Sequence, residues 1–174
     1  MTFFTSYNYI LLVVYKLIKE HIFSIEIPHP PVKIWSLIQD YNLWKQFTQA
    51  IVIDIEILYP GDKDGNGLIR RVHYKLPWGS RCSLELVTDV KPNIGYTFTM
   101  MSLKPGLDTN GLIRLEPIEV GKTRVHFEER FNLKKLPLLY RLLGNRLYKF
   151  INKRNEETFR NLSTWLDEHP DYLK

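Results

Sequence analysis

The chain has 174 residues, 44% of them hydrophobic and 25% charged, with 24 Lys and Arg against 19 Asp and Glu for a formal charge of +5. That length and apolar content suit one domain with a real core and exclude a disordered chain. The mild basic excess permits contact with an anionic surface without requiring it, and the single cysteine, Cys82, excludes an internal disulfide and points to a reducing, cytoplasmic setting.

Residues 1–20 read as an apolar extension. Phe3, Tyr7, Ile10, Val14 and Leu17 recur at helical spacing. The apolar run Tyr9 to Ile18 contains Lys16 and falls short of the ~20 residues a spanning helix needs. It has neither the basic leader nor the small-residue cleavage site of a signal peptide. The reading is a packed extension of a domain covering residues 21–170, with a membrane-surface anchor as the alternative.

"EHIFSIEIP" then alternates, with Phe23, Ile25 and Ile27 on one parity and Ile22, Ser24 and Glu26 on the other, which predicts a strand ended by Pro28. Pro30 and Pro31 fit a helix's first turn, where a missing N–H costs nothing. Val32, Trp35 and Ile38, flanked by Ile34 and Leu37, give a short amphipathic helix. Asp40 is placed to cap a second short helix carrying Leu43, Trp44 and Phe47.

Six further strands follow: "IVIDIEILY", "LIRRVHYKL", "RCSLELVTDV", "YTFTMMSL", "GLIRLEPI" and "TRVHFEERFNL", separated by Gly- and Pro-rich turns. Turn signals recur about every ten residues, as in an antiparallel meander. In the first of the six, Ile53, Ile55 and Ile57 share a face. The loop "DKDGNGLI" spaces Asp62, Asp64 and Asn66 like the start of a calcium loop, but its twelfth position is His73 rather than a bidentate glutamate, and no helix leads into it. A hairpin turn accounts for the same residues. His21, His29, His73, His126 and His169 show no metal-ligand spacing, and no phosphate-binding glycine loop or nucleophile elbow is present. The residues therefore call for no metal or cofactor.

After Pro137 the apolar period becomes helical and stays so through Leu166, until Pro170 stops it; Gly144 is a point where this helix can begin. Lys134, Lys135, Arg141, Arg146, Lys149, Lys153, Arg154 and Arg160 cluster here against Glu156 and Glu157. They form a solvated outer helix face or, in the functional reading, a docking face for anionic lipid. A nucleic-acid partner is not indicated, because the aromatics alternate like core residues instead of lining a strip.

The order strand, two short helices, six strands, long helix is similar to that of the START-like, or SRPBCC, superfamily. Within it the chain resembles the polyketide cyclase/dehydrase and lipid-transport group over residues 21–168, carried by "VKIWSLIQDYNLWKQF", "GLIRRVHY", "LELVTDV" and "GKTRVHF". The resemblance implies an α+β helix-grip fold: a curved seven-stranded antiparallel sheet around the long C-terminal helix, with a hydrophobic cavity between them. Trp35 and Trp44 would then plug one end of the sheet.

Strand parity assigns the inward side chains. Arg70, Val72 and Tyr74 share one parity, and Phe127, Glu129 and Phe131 share another; Arg71, His73 and Lys75 look wet, as do Arg114 and Glu116. Arg70 and Glu129 are costly inside without partners, water or a ligand. They would grip the polar head of a guest whose apolar body meets Ile55, Leu84, Phe98, Phe127, Leu147 and Ile151; the alternative puts both near strand ends, reaching water. The guest is a hydrophobic small molecule or lipid. If the chain is instead a polyketide cyclase-like enzyme, Glu129 or Tyr74 would move the proton. A third reading, an interaction module with a quinone or chaperone partner, comes only from the resemblance. Nothing in the sequence fixes an oligomeric state.

Overall fold

The computed structural model describes residues 18–48, 51–76, 79–103, 108–133 and 144–173. The predicted helical spacing of residues 1–17 and the basic residues Lys134, Lys135 and Arg141 lie outside these. Among the described residues the order is β1 (Ile18–Ile27), α1 (Pro31–Gln39), α2 (Trp44–Phe47), β2 (Val52–Tyr59), β3 (Ile69–Leu76), β4 (Gly79–Lys91), β5 (Gly95–Ser102), β6 (Asp108–Glu119), β7 (Lys122–Asn132) and α3 (Gly144–Glu168).

The strands form one antiparallel seven-stranded sheet in the order β1-β7-β6-β5-β4-β3-β2. From β2 to β7 each strand pairs with the next in sequence, because each connection is short. The two short helices carry the chain from β1 to β2, so these two strands become the edges. α3 packs against the sheet and lies closest to β1.

Period-two patterning sets the inner face. His21 and Ile27 on β1 and Val125, Phe127, Glu129 and Phe131 on β7 are buried, whereas Ile22 is 64% exposed. Phe127 gathers Phe23, Phe98 and Phe159 at ring-centroid distances of 5.1, 6.3 and 5.7 Å. Each such ring withdraws enough apolar surface to contribute about 1.5–3 kcal/mol. Gly95 lets β5 and β6 approach closely, since a Cβ there would lie 2.0 Å from the Ile113 carbonyl oxygen.

α1 opens with Pro30 at its N-cap and Pro31 in its first turn. Its buried residues are Ile34, Leu37 and Ile38, while Val32 is 48% exposed, so the core stripe lies to one side of the predicted Val32–Trp35–Ile38 line. Asp40 does not cap α2: its carboxylate accepts the Asn42 N–H, making a tight turn, and the helix begins after Leu43. β2 also departs from strict alternation. Irregularities at Val52/Asp54 and Ile57/Tyr59 leave Ile53 and Ile57 exposed and turn Ile55 toward Val72 and Tyr74. In the loop after β2, one oxygen of Asp62 accepts the N–H groups of Asp64 and Asn66, both at 2.9 Å, and Asn66 Oδ1 accepts the Val90 N–H. That turn chemistry accounts for the calcium-like spacing.

The helix pair is tied to α3 through polar contacts. Asn161 donates to the Phe47 carbonyl, Trp165 Nε1 to Gln46 Oε1, and Lys33 to the Pro170 carbonyl. His29 meets Asp167 at 2.9 Å. Leu162 and Leu166 bury the apolar side of the same helix.

Candidate functional site

Between the inner face of the sheet and α3 lies a pocket of about 200 Å³. β3 contributes Arg70, Val72 and Tyr74, β4 Glu85, and β5 Tyr96, Phe98 and Met100. Thr109 and Ile113 come from β6, and Phe127, Glu129 and Phe131 from β7. α3 closes the space with Phe150, Ile151, Arg154, Asn155, Thr158 and Phe159, while Trp44 and Thr48 bound the end beneath α2. The wall is mostly aromatic and aliphatic, with a few polar groups set into it.

Arg70 dominates one end. It is 2% exposed and forms a buried, hydrogen-bonded ion pair with Glu85. Its guanidinium lies 4.7 Å from the Tyr41 ring centroid and 4.8 Å from that of Trp44, within cation–π range. Trp44 is itself fixed by a 2.8 Å bond from Nε1 to the Ile38 carbonyl. Burial pulls the Arg70 pKa down, but Glu85, Tyr96 and Tyr41 outweigh it and hold the guanidinium above its usual range. Burial pushes the Tyr96 hydroxyl pKa up, and Arg70 partly reverses that. Arg70 Nε and the Thr48 hydroxyl are buried here without a hydrogen-bond partner. Nearby, Tyr74 and Ser83 hydroxyls meet at 2.9 Å.

The other end belongs to Glu129, 93% withdrawn from solvent by its 7% exposure. Asn155 donates to its Oε2 at 2.8 Å. Burial raises the carboxyl pKa to about 7; Thr109 and Asn155 pull it down, and the negative Glu85 adds to the rise. The Thr109 hydroxyl lies beside the carboxyl and acts on it as a donor.

Of the residues expected at the site, Arg70, Val72, Tyr74, Phe98, Phe127, Glu129 and Ile151 line this pocket. Leu84 does not. It lies on the opposite face of β4, half-buried and paired with Arg71 and Met101, while Ser83, Glu85 and Val87 point inward. The reason is register: Arg70 stands opposite Glu85 and Val72 opposite Ser83. The ladder pairs even-numbered residues of β3 with odd-numbered ones of β4, so an inward Arg70 demands an inward Glu85. Apolar parity misleads here because the pair places polar Ser83 and Glu85 inside and leaves Leu84 and Leu86 outside. Ile55 packs against Val72 and Tyr74 from β2 without lining the pocket. Leu147 belongs to α3, but its side chain is outside the described residues. Sequence reasoning missed Glu85, Thr109 and Asn155; the turn length alone, applied to Arg70, points to the first of them.

A curved antiparallel sheet with a helix pair after its first strand and a long helix against its inner face defines the helix-grip class of fold. Residues 23–166 match the family described as polyketide cyclase / dehydrase and lipid transport, and the chain belongs to that family. None of the curated proteins matches the chain by sequence. Among solved structures, it is similar to the Zhui aromatase/cyclase from Streptomyces sp. R1128, at TM-score 0.71 and 12% identity over 87% of this chain and 95% of that one. It is also similar to Ara h 8.0201, at TM-score 0.66 and 15% identity over 87% of this chain and 99% of that one. A conserved protein from Geobacillus kaustophilus gives TM-score 0.66 at 18% identity, over 87% and 97% of the respective chains. At these identities the likeness is one of fold. Among the described residues, no helix is long and apolar enough to cross a membrane.

Proposed function

We propose that the chain holds a small, mostly apolar molecule in the pocket between the sheet and α3. The observation that carries this reading is a wall of aromatic and aliphatic side chains interrupted by buried polar residues, two of which have a buried atom with no partner: Arg70 Nε and Thr48 Oγ1. Buried polar atoms are almost always satisfied, so two unsatisfied ones on residues that line one pocket are accounted for by a guest or water. The size narrows the guest. A cavity of about 150 Å³ holds benzene, so about 200 Å³ suits one ring with a short substituent, and a fused multi-ring chain requires the walls to move. Family membership fits both ligand binding and a cyclase-like role.

Ile151→Trp tests the reading by filling the pocket from α3. Toluene binding, followed by ligand-observed NMR, is expected in the wild-type chain and lost in the variant, with the unfolding transition retained. Toluene binding that survives Ile151→Trp would refute it.

A cyclase-like role draws on a different observation, the Glu129 carboxyl whose pKa of about 7 suits proton transfer at neutral pH. In that case Glu129→Gln abolishes turnover of a bound keto substrate while leaving its affinity within a few-fold; equal losses of both would reject it.

A further inference from the structure

The charges on the pocket wall are unequally paired, and that inequality specifies the guest. Four carboxylate or guanidinium side chains line it: Arg70, Glu85, Glu129 and Arg154. Arg70 and Glu85 neutralise each other. Arg154 is 3.3 Å from Glu157 and lies over the Phe150 ring at 5.5 Å. Glu129 alone has no ion-pair partner among the described residues; its hydrogen-bond donor is the neutral Asn155 amide. Once ionised, Glu129 therefore carries a buried negative charge that no cation of the described residues is bonded to. An anionic guest would meet Glu129 and Glu85, while Arg70, the buried cation among the described residues, already holds Glu85.

We propose that the pocket selects a small organic amine, whose ammonium group seats against the Glu129 carboxylate and whose short apolar body fills the aromatic space beside it. The inference rests on the pocket holding a guest. Three features favour it. Asn155 engages only Oε2 of the carboxyl. Thr109 Oγ1, in a residue 6% exposed, accepts no hydrogen bond from the described residues and lies on the same wall. Phe127 and Phe131 flank Glu129 on the inner face of β7, and aromatic faces attract cations.

Among the described groups facing Glu129, no cation is bonded to it. His21, directly across on β1, is held below the usual histidine pKa by burial, which disfavours its charged form. β6 presents Gly111 and Thr109. α3 presents Asn155 and the paired Arg154, and Glu85 on β4 has the same sign as Glu129. Burial keeps the Glu129 pKa near 7, so the carboxylate is fully available only above that pH.

The test is an isosteric series of benzylamine, benzyl alcohol, toluene and benzoate, titrated by ligand-observed NMR at pH 6 and pH 8. An alkylamine stays protonated throughout this range, while a carboxyl of pKa near 7 goes from about one-tenth to about nine-tenths ionised. Benzylamine should therefore bind about tenfold more tightly at pH 8 than at pH 6, and more tightly than benzoate at both. Toluene should not change. Glu129→Gln should abolish the pH dependence of benzylamine and keep toluene binding. Toluene binding with no preference for benzylamine, or a preference for benzoate, overturns the amine inference and leaves the apolar pocket standing. Binding of none of the four overturns both. If Glu129→Gln does not fold, the wild-type profile decides: affinity for benzylamine that is flat or weaker at pH 8 overturns the proposal.

Discussion

Replacing Glu85 by Gln keeps the side chain's shape and removes its charge. The partner, Arg70, then sits 2% exposed against the rings of Tyr41 and Trp44, with no other carboxylate of the described residues bonded to it. Both members of the pair are nearly dry, at 2% and 5% side-chain exposure, so solvent cannot screen the loss. Breaking a buried pair on one side costs about 3–5 kcal/mol, which for a chain of this size lowers the melting temperature by roughly 6–20 °C. Arg70→Met combined with Glu85→Leu removes both charges and should cost less than Glu85→Gln alone, because no stranded ion remains. Urea unfolding followed by tryptophan fluorescence measures all three, with Trp44 reporting directly on the site. A loss under about 1 kcal/mol in Glu85→Gln, the range of an exposed pair, would refute the reasoning. So would a double variant less stable than the single.

Other expectations follow from the same site. The folded chain holds the Glu129 proton more tightly than the unfolded chain does, with a pKa raised from 4.5 to about 7. This contribution to stability is complete below pH 4.5 and declines as pH rises to about 7, by up to about 3 kcal/mol; Glu129→Gln should flatten that decline in urea midpoints measured from pH 4.5 to pH 8. Gly111→Ala places a Cβ 2.1 Å from the Glu128 carbonyl oxygen and 2.8 Å from the Phe98 ring. It should cost about 1–3 kcal/mol and weaken toluene binding by shifting that ring; an unchanged melting temperature would contradict it. Trp44→Phe keeps a ring over Arg70 but loses the bond to Ile38, so it should cost about 1 kcal/mol beyond the smaller volume. Trp44→Leu loses the ring face as well and should cost more in the same unfolding assay.

The architecture was readable because most strands alternate and most of the connections between them carry Gly or Pro. β7 shows this best: Val125, Phe127, Glu129 and Phe131 took the inner face, as their parity required. The proline pair before α1 fixed a helix start in the same way. What stayed hidden depends on relations between strands. The irregularities in β2 reset its faces, so the regular Ile53–Ile55–Ile57 series ended up mostly exposed. On β4 the apolar alternation of Leu84 and Leu86 pointed to the wrong face, because Arg70 across the ladder needed Glu85 inside. A buried charge outweighs two half-buried leucines when a strand chooses its face. Thr109 and Asn155 had no signal of their own, since a threonine in a strand and an asparagine in a helix are each ordinary until the third dimension puts them beside a carboxyl.

The two polar ends of the pocket are built for different work. At the Arg70 end every strong interaction also holds the fold. Glu85 joins β4 to β3, Trp44 and Tyr41 join the helix pair to the sheet, and Trp44 is anchored to α1. Changes there alter stability and binding together, so loss of binding in an Arg70 variant says little about contact with a guest. The Glu129 end carries far less structure: one bond from Asn155 links β7 to α3, and that link survives an isosteric amide. Its carboxyl is also the group whose burial the fold leaves uncompensated. A protein selected for stability alone would gain by an apolar residue at this position. Retaining an acid there opposes stability at neutral pH, and a bound cation, or a proton in transit, is what would offset it.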